Sequence, residues 1–447
     1  MLLAGLAEDG GLYVPAEWPH WSVADLRALR DLPYAELAAR VIAPFVGDTV
    51  PFATLQRMTH DAYAGFAHPA VAPLVQLDAG LWSMELFHGP TLAFKDFALQ
   101  LLGRLFAYVL ERDGRRVTIV GATSGDTGSA AIEACAGRAN IDIIILHPAG
   151  RTSEVQRRQM TTVQATNVAN IAVDGTFDDC QDLVKAMFAD AAFRTEMHLS
   201  AVNSINWGRI MGQIPYYVAA SLALGGPDRE VAFSVPTGNF GNVFAGYAAR
   251  RMGLPVARLV VASNRNDILT RFLDANDMSI QGVEPSLSPS MDIQVSSNFE
   301  RLLFELLDRD PAATAATMQA FRTTGRMAVS DPVWHRARGV LHGFSLDDAG
   351  TTAEIKRLYA EGYLACPHTA IGIAAGRAQA CPAPMVCMAT AHPAKFPDAV
   401  ENATGARPPL PPHLADLYER TETFTDAPRD LVTIQARVRA FANRNAT

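Results

Sequence analysis

The sequence predicts an α/β protein built on parallel sheets and led by a small helical segment. Three observations carry that prediction. Short continuous apolar runs, among them Ile143–Leu146 and Met385–Met388, have the composition of strands buried on both faces. Between them lie stretches with apolar residues at helical spacing, and such alternation implies parallel sheets covered on both sides. Residues 1 to about 75, by contrast, read as short helices and turns rich in alanine, leucine and proline.

Taken in order, Tyr34–Ile42 carries one apolar face at helical spacing. Leu81–Phe87 is an extended run that Gly89 and Pro90 break, and a long apolar segment follows from Phe97 to Leu110. Val117–Val120 is a β-branched run, succeeded by a glycine loop and a helix through Ala130–Ala134. Ile143–Leu146 and Ile171–Val173 are further strands. Thr176, with Asp179 three residues on, has the pattern of a helix cap ahead of Cys180, Leu183 and Met187. Val231–Val235, Leu259–Ala262 and Met385–Met388 supply the remaining strands. A serine-bearing irregular stretch between 276 and 298 reads as an insertion or as a cover near a site. Thr351 and Glu354 make a capping-box pattern before Ile355, and a polar helix follows the turn at Pro408-Pro409.

Composition excludes several classes of function. The 447 residues suffice for two or three domains with substantial cores. A formal charge of −8, with no lysine-arginine run, argues against a nucleic-acid surface. Five widely spaced cysteines without a Cys-x-x-Cys pair suit reduced thiols in a cytoplasmic enzyme, with neither a disulfide frame nor a zinc site. No run of about 18 apolar residues predicts a membrane span. Met1–Ala7 lacks a basic region and meets Glu8, so no signal peptide is expected.

Chemistry is expected first at Lys95. It stands at a strand-to-helix junction between Phe94 and Phe97, with Asp96 where the helix begins. A lysine among apolar groups near the positive end of a helix loses affinity for its proton. The neutral amine is the form that condenses with an aldehyde, as Schiff-base chemistry with pyridoxal phosphate (PLP) requires. The plainer alternative is a solvated lysine beside its aspartate, the commoner fate of such a pair.

Two glycine loops follow strands and open helices. In Gly238-Asn239-Phe240-Gly241-Asn242 the glycines allow close approach of an anion to free N–H groups. The alternative is a tight strand-to-helix turn, and no Gly-Lys-Ser/Thr marks a P-loop. Thr123-Ser124-Gly125-Asp126-Thr127-Gly128 offers hydroxyls and N–H donors suited to a carboxylate, or helix capping by Ser124 or Asp126.

The stretch His88-Gly89-Pro90-Thr91-Leu92-Ala93-Phe94-Lys95-Asp96-Phe97 resembles the PLP-lysine motif of the threonine synthase family, which has the fold-type-II PLP architecture. Five more words match in order: Asp9–Pro15, Ala122–Gly128, Asn203–Trp207, Val235–Asn242 and Thr390–Phe396. The resemblance implies two parallel-sheet domains plus the small helical N-terminal domain. It divides the chain into a helical subdomain 1–75, a PLP-lysine and substrate-loop domain 76–205, and a larger α/β domain 206–447. Relatives carry a short leading segment before the Asp9–Pro15 word, so the first strand of that domain is left open.

By the same resemblance Lys95 holds PLP, Gly238–Asn242 grips the cofactor phosphate, and Thr390 faces the pyridine nitrogen. Thr123, Ser124, Gly125, Asp126, Thr127, Asn203 and Arg209 are the implied substrate ligands. Asp126 stands where related enzymes carry asparagine, and a carboxylate there repels a substrate's charge unless partnered. Arg209, and after it Lys395, are the cations considered for a substrate phosphate, which a closed site has to pair. His88 is expected to orient the lysine turn, and His368 to satisfy local hydrogen bonds without a metal. The implied reaction converts O-phospho-L-homoserine and water to L-threonine and phosphate. Its rivals are a phospho-lyase releasing a 2-oxo acid and a non-catalytic binding protein on the same fold. The assembly is left between a monomer and a homodimer.

Overall fold

The computed structural model describes residues 2–7 and 9–444. Met1, Glu8 and residues 445–447, which the sequence divisions include, lie outside the described residues. Six strands form the larger sheet, in the order Leu74–Asp78, Leu81–Glu85, Met385–Ala389, Val231–Pro236, Val256–Ser263 and Leu341–Ser345. Neighbours run parallel except for the first pair, an antiparallel hairpin at the edge. The smaller sheet holds Thr425–Pro428, Val168–Asp174, Ile141–Pro148, Val117–Ala122 and Leu199–Ser200, all parallel. Ile141–Pro148 and Val231–Pro236 are buried along their full length, as strands with helices on both faces have to be.

The leading segment forms helices Val23–Arg27, Tyr34–Val46 and Phe52–Tyr63. Their aromatic residues pack onto the start of helix Lys95–Asp113, where the rings of Tyr34, Tyr63 and Phe66 lie 5.5, 6.0 and 4.9 Å from that of Phe97. The Tyr63 hydroxyl also donates to the Phe97 carbonyl at 3.1 Å. An N-terminal segment remote in sequence thus steadies the first turn of the lysine helix.

The sheets do not follow the continuous divisions expected from sequence. Leu81–Glu85, which leads into Lys95, belongs to the larger sheet, where it pairs with Met385–Ala389. Thr425–Pro428 crosses back to pair with Val168–Asp174, and helix Leu431–Arg444 packs beside it. Which strand accepts which neighbour in a parallel sheet is settled by tertiary packing, and no local pattern records it.

The capping box at Thr176 and Asp179 forms as read. The one at Thr351 and Glu354 does not. Helix Asp348–Ala360 starts earlier, where the Asp347 carboxylate accepts from the Gly350 amide at 2.8 Å. Thr351 then lies inside the first turn, its hydroxyl donating to the Asp347 carbonyl. Between 276 and 298 the chain is irregular apart from Met278–Ser279 and a single turn at Pro289–Met291. Among the described residues no helix is long and apolar enough to cross a membrane, and no cluster of three or more His, Cys, Asp or Glu could hold a metal ion. All five cysteines are free thiols.

Candidate active site

Lys95 is the first residue of its helix, delivered by the turn that leaves Leu81–Glu85. Asp96 closes that turn, accepting from both the amide and the hydroxyl of Thr91. Gly89 has no room for a side chain, since a Cβ would stand 2.5 Å from the Asp96 carboxylate. The Phe94 amide donates to the Thr390 carbonyl at 2.9 Å, and Ala93 bridges to Ala391. Lys95 and the end of strand Met385–Ala389 are therefore neighbours. Thr390 is buried there.

The Lys95 ammonium donates to Asp126 at 3.2 Å and lies over the Phe94 ring at 5.1 Å. Burial pushes its proton affinity down; Asp126 opposes that, while Lys395 and Arg209 add to it. The weakened hold on its proton expected from the sequence therefore has a physical cause. Asp126 itself is buried but held well below the usual carboxylate range, because Lys395, Lys95 and the Gln156 amide outweigh its desolvation. Its contacts are Lys395 at 3.0 Å, Gln156 at 2.9 Å, Lys95 at 3.2 Å and the Ser290 hydroxyl at 3.4 Å. The repelling carboxylate of the sequence is thus a partnered one.

In the loop around Asp126 the Thr123 hydroxyl accepts from the amides of Gly125 and Gly128, at 3.0 and 2.9 Å. Gly125 takes φ = 142°, and a Cβ there would meet the Gln156 side chain at 2.5 Å. The N-cap of helix Asp126–Cys135 is Gly125 and the Thr123 hydroxyl accepts from its first-turn Gly128 amide, so neither Ser124 nor Asp126 caps it. Ser124 is exposed and Thr127 half-buried, which leaves both accessible to a small ligand.

The second loop opens helix Gly241–Arg251, with Phe240 left-handed at φ = 62° and no side-chain cap. Its carbonyls are tied back: Gly238 accepts from the Ser296 hydroxyl at 2.8 Å, and Asn239 from the Asn298 amide group at 2.8 Å. A Cβ on Gly238 would stand 2.4 Å from the Ser290 carbonyl oxygen. The backbone amides of Gly241 and Asn242 find no acceptor among the described residues. Amides free at a helix start, in a loop where Gly238 has no space for a side chain, fit a phosphate. The Asn242 side chain points inward, accepting from the Tyr216 and Tyr217 hydroxyls at 2.8 Å.

Arg209 lies buried on the short helix Trp207–Met211. It donates to the Val202 carbonyl at 3.2 Å, and its Nε has no partner. Burial pushes its pKa down to about 10. Asn203 is exposed, and the buried asparagine of that word is Asn206, which caps the Arg209 helix. His88 pairs with Glu85 at 2.7 Å and does not touch Lys95. His368 accepts from the Ser290 amide at 3.3 Å, and burial drives its pKa to about 4.

Sequence reasoning missed Gln156, Gln159, Ser290, Asn298 and Arg301. Arg301, fully buried, donates to the carbonyls of Tyr13 at 2.9 Å and Ile205 at 2.6 Å and to the Asn298 side chain. It ties the Asp9–Pro15 word and the Asn203–Trp207 word to the Asn298 clamp on the second loop. Only Gln156 left a trace, in the Ser153-x-x-Gln156 capping box that the structure forms. The assembled site offers an amine of depressed basicity, an anion cradle, a second loop of hydroxyls and an unmatched buried cation.

Residues 67–341 match the family described as pyridoxal-phosphate dependent enzyme, 1–63 the threonine synthase N terminus, and 369–438 the threonine synthase C-terminal region. The chain is 55% identical to the threonine synthase of Pseudomonas aeruginosa, over 99% of its own length and 96% of that protein's. A crystal structure of PLP-bound threonine synthase from Brucella melitensis superposes with a TM-score of 0.97 at 52% identity, covering 99% of this chain and 96% of that one. The yeast threonine synthase structure follows at 0.93 and 37% identity, with coverages of 98% and 95%.

Proposed function

The chain belongs to the threonine synthase family of PLP-dependent enzymes, and from that membership we infer how its residues divide the work. It is a lyase that converts O-phospho-L-homoserine and water to L-threonine and phosphate. PLP, when bound, supplies an aldehyde that condenses with amines and a ring that draws electrons from Cα.

Lys95 is the residue we assign to hold PLP. With the cofactor bound, the Lys95 amine would take the Cα proton and carry the Cβ proton toward Cγ, the carbon that gives up phosphate. Phosphate leaves from Cγ and water adds at Cβ. The amides at Gly238–Asn242 are assigned to the cofactor phosphate. The Thr390 hydroxyl is assigned to the pyridine nitrogen, which it can hydrogen-bond without fixing a proton there. Thr123, Ser124, Gly125 and Thr127 form the loop for the substrate carboxylate, with Asp126 turned away onto its two lysines. Arg209 is assigned to the substrate phosphate, because a buried guanidinium with a free donor suits a dianion.

The observation that carries this reading is the half-buried Lys95 amine at a helix start, within reach of Asp126 and beside Thr390. We further propose that the folding units follow the sheets: a leading helical unit, a unit on the larger sheet with Lys95 at its edge, and a unit on the smaller sheet completed by 425–444. Free cysteines and the acidic balance support a cytoplasmic setting and no nucleic-acid partner. The test is product analysis with O-phospho-L-homoserine. Threonine and phosphate in equal amounts are expected; 2-oxobutyrate in place of threonine would move the assignment to a phospho-lyase.

A further inference from the structure

We propose that Lys395 is a positioning residue of this reaction: it holds the Asp126 carboxylate as an anion between two lysines, and through Asp126 it decides where the proton of Lys95 rests. The proposal rests on the assignment of Lys95 as the reacting amine.

Lys395 has no exposed surface. Its ammonium donates to the Thr91 carbonyl at 2.7 Å and to the Gln159 side-chain oxygen at 2.9 Å, and it forms an ion pair with Asp126 Oδ1 at 3.0 Å. Wholly buried, with two donors on neutral oxygens and its charge paired by Asp126, it offers no surface to a substrate phosphate. The geometry therefore takes Lys395 out of the phosphate role that its sequence neighbourhood offered. It gives the residue another. Asp126 Oδ1 takes Lys395 and Gln156, while Oδ2 faces Lys95 and Ser290. Each carboxylate oxygen thus faces one lysine.

Thr91, the other anchor of Lys395, lies in the turn that delivers Lys95. The same ammonium therefore fixes both the backbone before the reacting amine and the carboxylate in front of it. The charges facing Lys95 are Asp126, Lys395 and Arg209. Asp126 also faces His368, and Asp96 feels Lys395. His368, with its pKa near 4, is neutral under working conditions, so Lys395 is the cation that balances Asp126 when Lys95 is neutral. Without it, Asp126 is left with Lys95 as its close ammonium, and the amine keeps its proton to higher pH. The unbalanced anion would also oppose the carboxylate and phosphate of the substrate.

The test compares holoenzymes of wild type, Lys395→Met, Lys395→Gln and Asp126→Asn. Two quantities are followed against pH: kcat/KM, and the visible absorbance of the bound cofactor. In the Lys395 variants the acid limb of kcat/KM moves up by about one pH unit, a tenfold loss at fixed pH below it. The absorbance transition moves the same way. In Asp126→Asn both move down, and combining Asp126→Asn with Lys395→Met returns them toward wild type. A merely structural lysine would lower activity at every pH and leave both profiles in place. Unshifted profiles with a raised KM would give Lys395 back to the substrate phosphate and overturn the proposal. Should neither Lys395 variant fold, the sign of the Asp126→Asn shift decides: downward supports the proposal, and no shift or an upward one overturns it. Failure of the Lys95 assignment looks different, since a Lys95→Ala protein would then still take up borohydride label at another lysine and keep its turnover.

Discussion

The Asp96 carboxylate accepts from the Thr91 amide at 2.9 Å and from the Thr91 hydroxyl at 2.7 Å while fully buried behind the lysine turn. Burial raises its pKa to about 6, against the pull of those two hydrogen bonds. A carboxyl whose folded pKa lies above its unfolded one binds more protons in the folded state. Its contribution to stability is therefore greatest below about pH 4 and is lost as pH rises toward 6. Two units correspond to about 3 kcal/mol. Urea unfolding of wild type and Asp96→Asn at pH 4 and pH 7 checks this. The stability difference, wild type minus variant, is expected to fall by about that amount, and a pH-independent difference would count against the buried geometry.

Gly238→Ala tests the cradle. Its Cβ would press the Ser290 carbonyl at 2.4 Å, a backbone atom that cannot swing away. The loop must open, and the free amides at the helix start lose their aim. Titration of the apoprotein with PLP is expected to show at least tenfold weaker binding, or about 1.4 kcal/mol. Wild-type affinity would remove this loop from the phosphate site.

Arg209→Met tests the substrate cation. One or two charge-assisted hydrogen bonds are worth about 1.5–3 kcal/mol, so KM for O-phospho-L-homoserine is expected to rise about 10- to 100-fold. The bound cofactor should be retained at wild-type stoichiometry. A variant with normal KM would send the search for the phosphate cation elsewhere.

Arg301→Met tests how the words of the sequence are held together. The change leaves the Tyr13 and Ile205 carbonyls and the Asn298 side-chain oxygen without their donor. A loss on the order of 3 kcal/mol in urea unfolding is expected, with weaker PLP binding as the Asn298 clamp on Asn239 loosens.

The apolar strands of both sheets and the two glycine loops were legible because each is a local pattern, whereas the short or polar strands Leu74–Asp78, Leu199–Ser200 and Leu341–Ser345 lack one. The Lys95 turn was legible for the same reason. Thr425–Pro428 was not, since it is an edge strand with a single buried residue and has neither the apolar run nor the alternation that marks one. Asp126 could be picked out but not explained, because Lys395 and Gln156 reach it from distant parts of the chain. The two asparagines of the Asn203–Trp207 word differ in burial. The buried, capping residue is Asn206, and nothing in the local pattern tells the two apart.

The central claim is that the Lys95 amine carries the cofactor. Borohydride reduction of the holoenzyme, followed by peptide mapping, tests it most directly. The account predicts one pyridoxyl-modified peptide containing Lys95, and a Lys95→Ala protein that yields none and makes no threonine. Label on any other lysine, or threonine formed by Lys95→Ala, would contradict it.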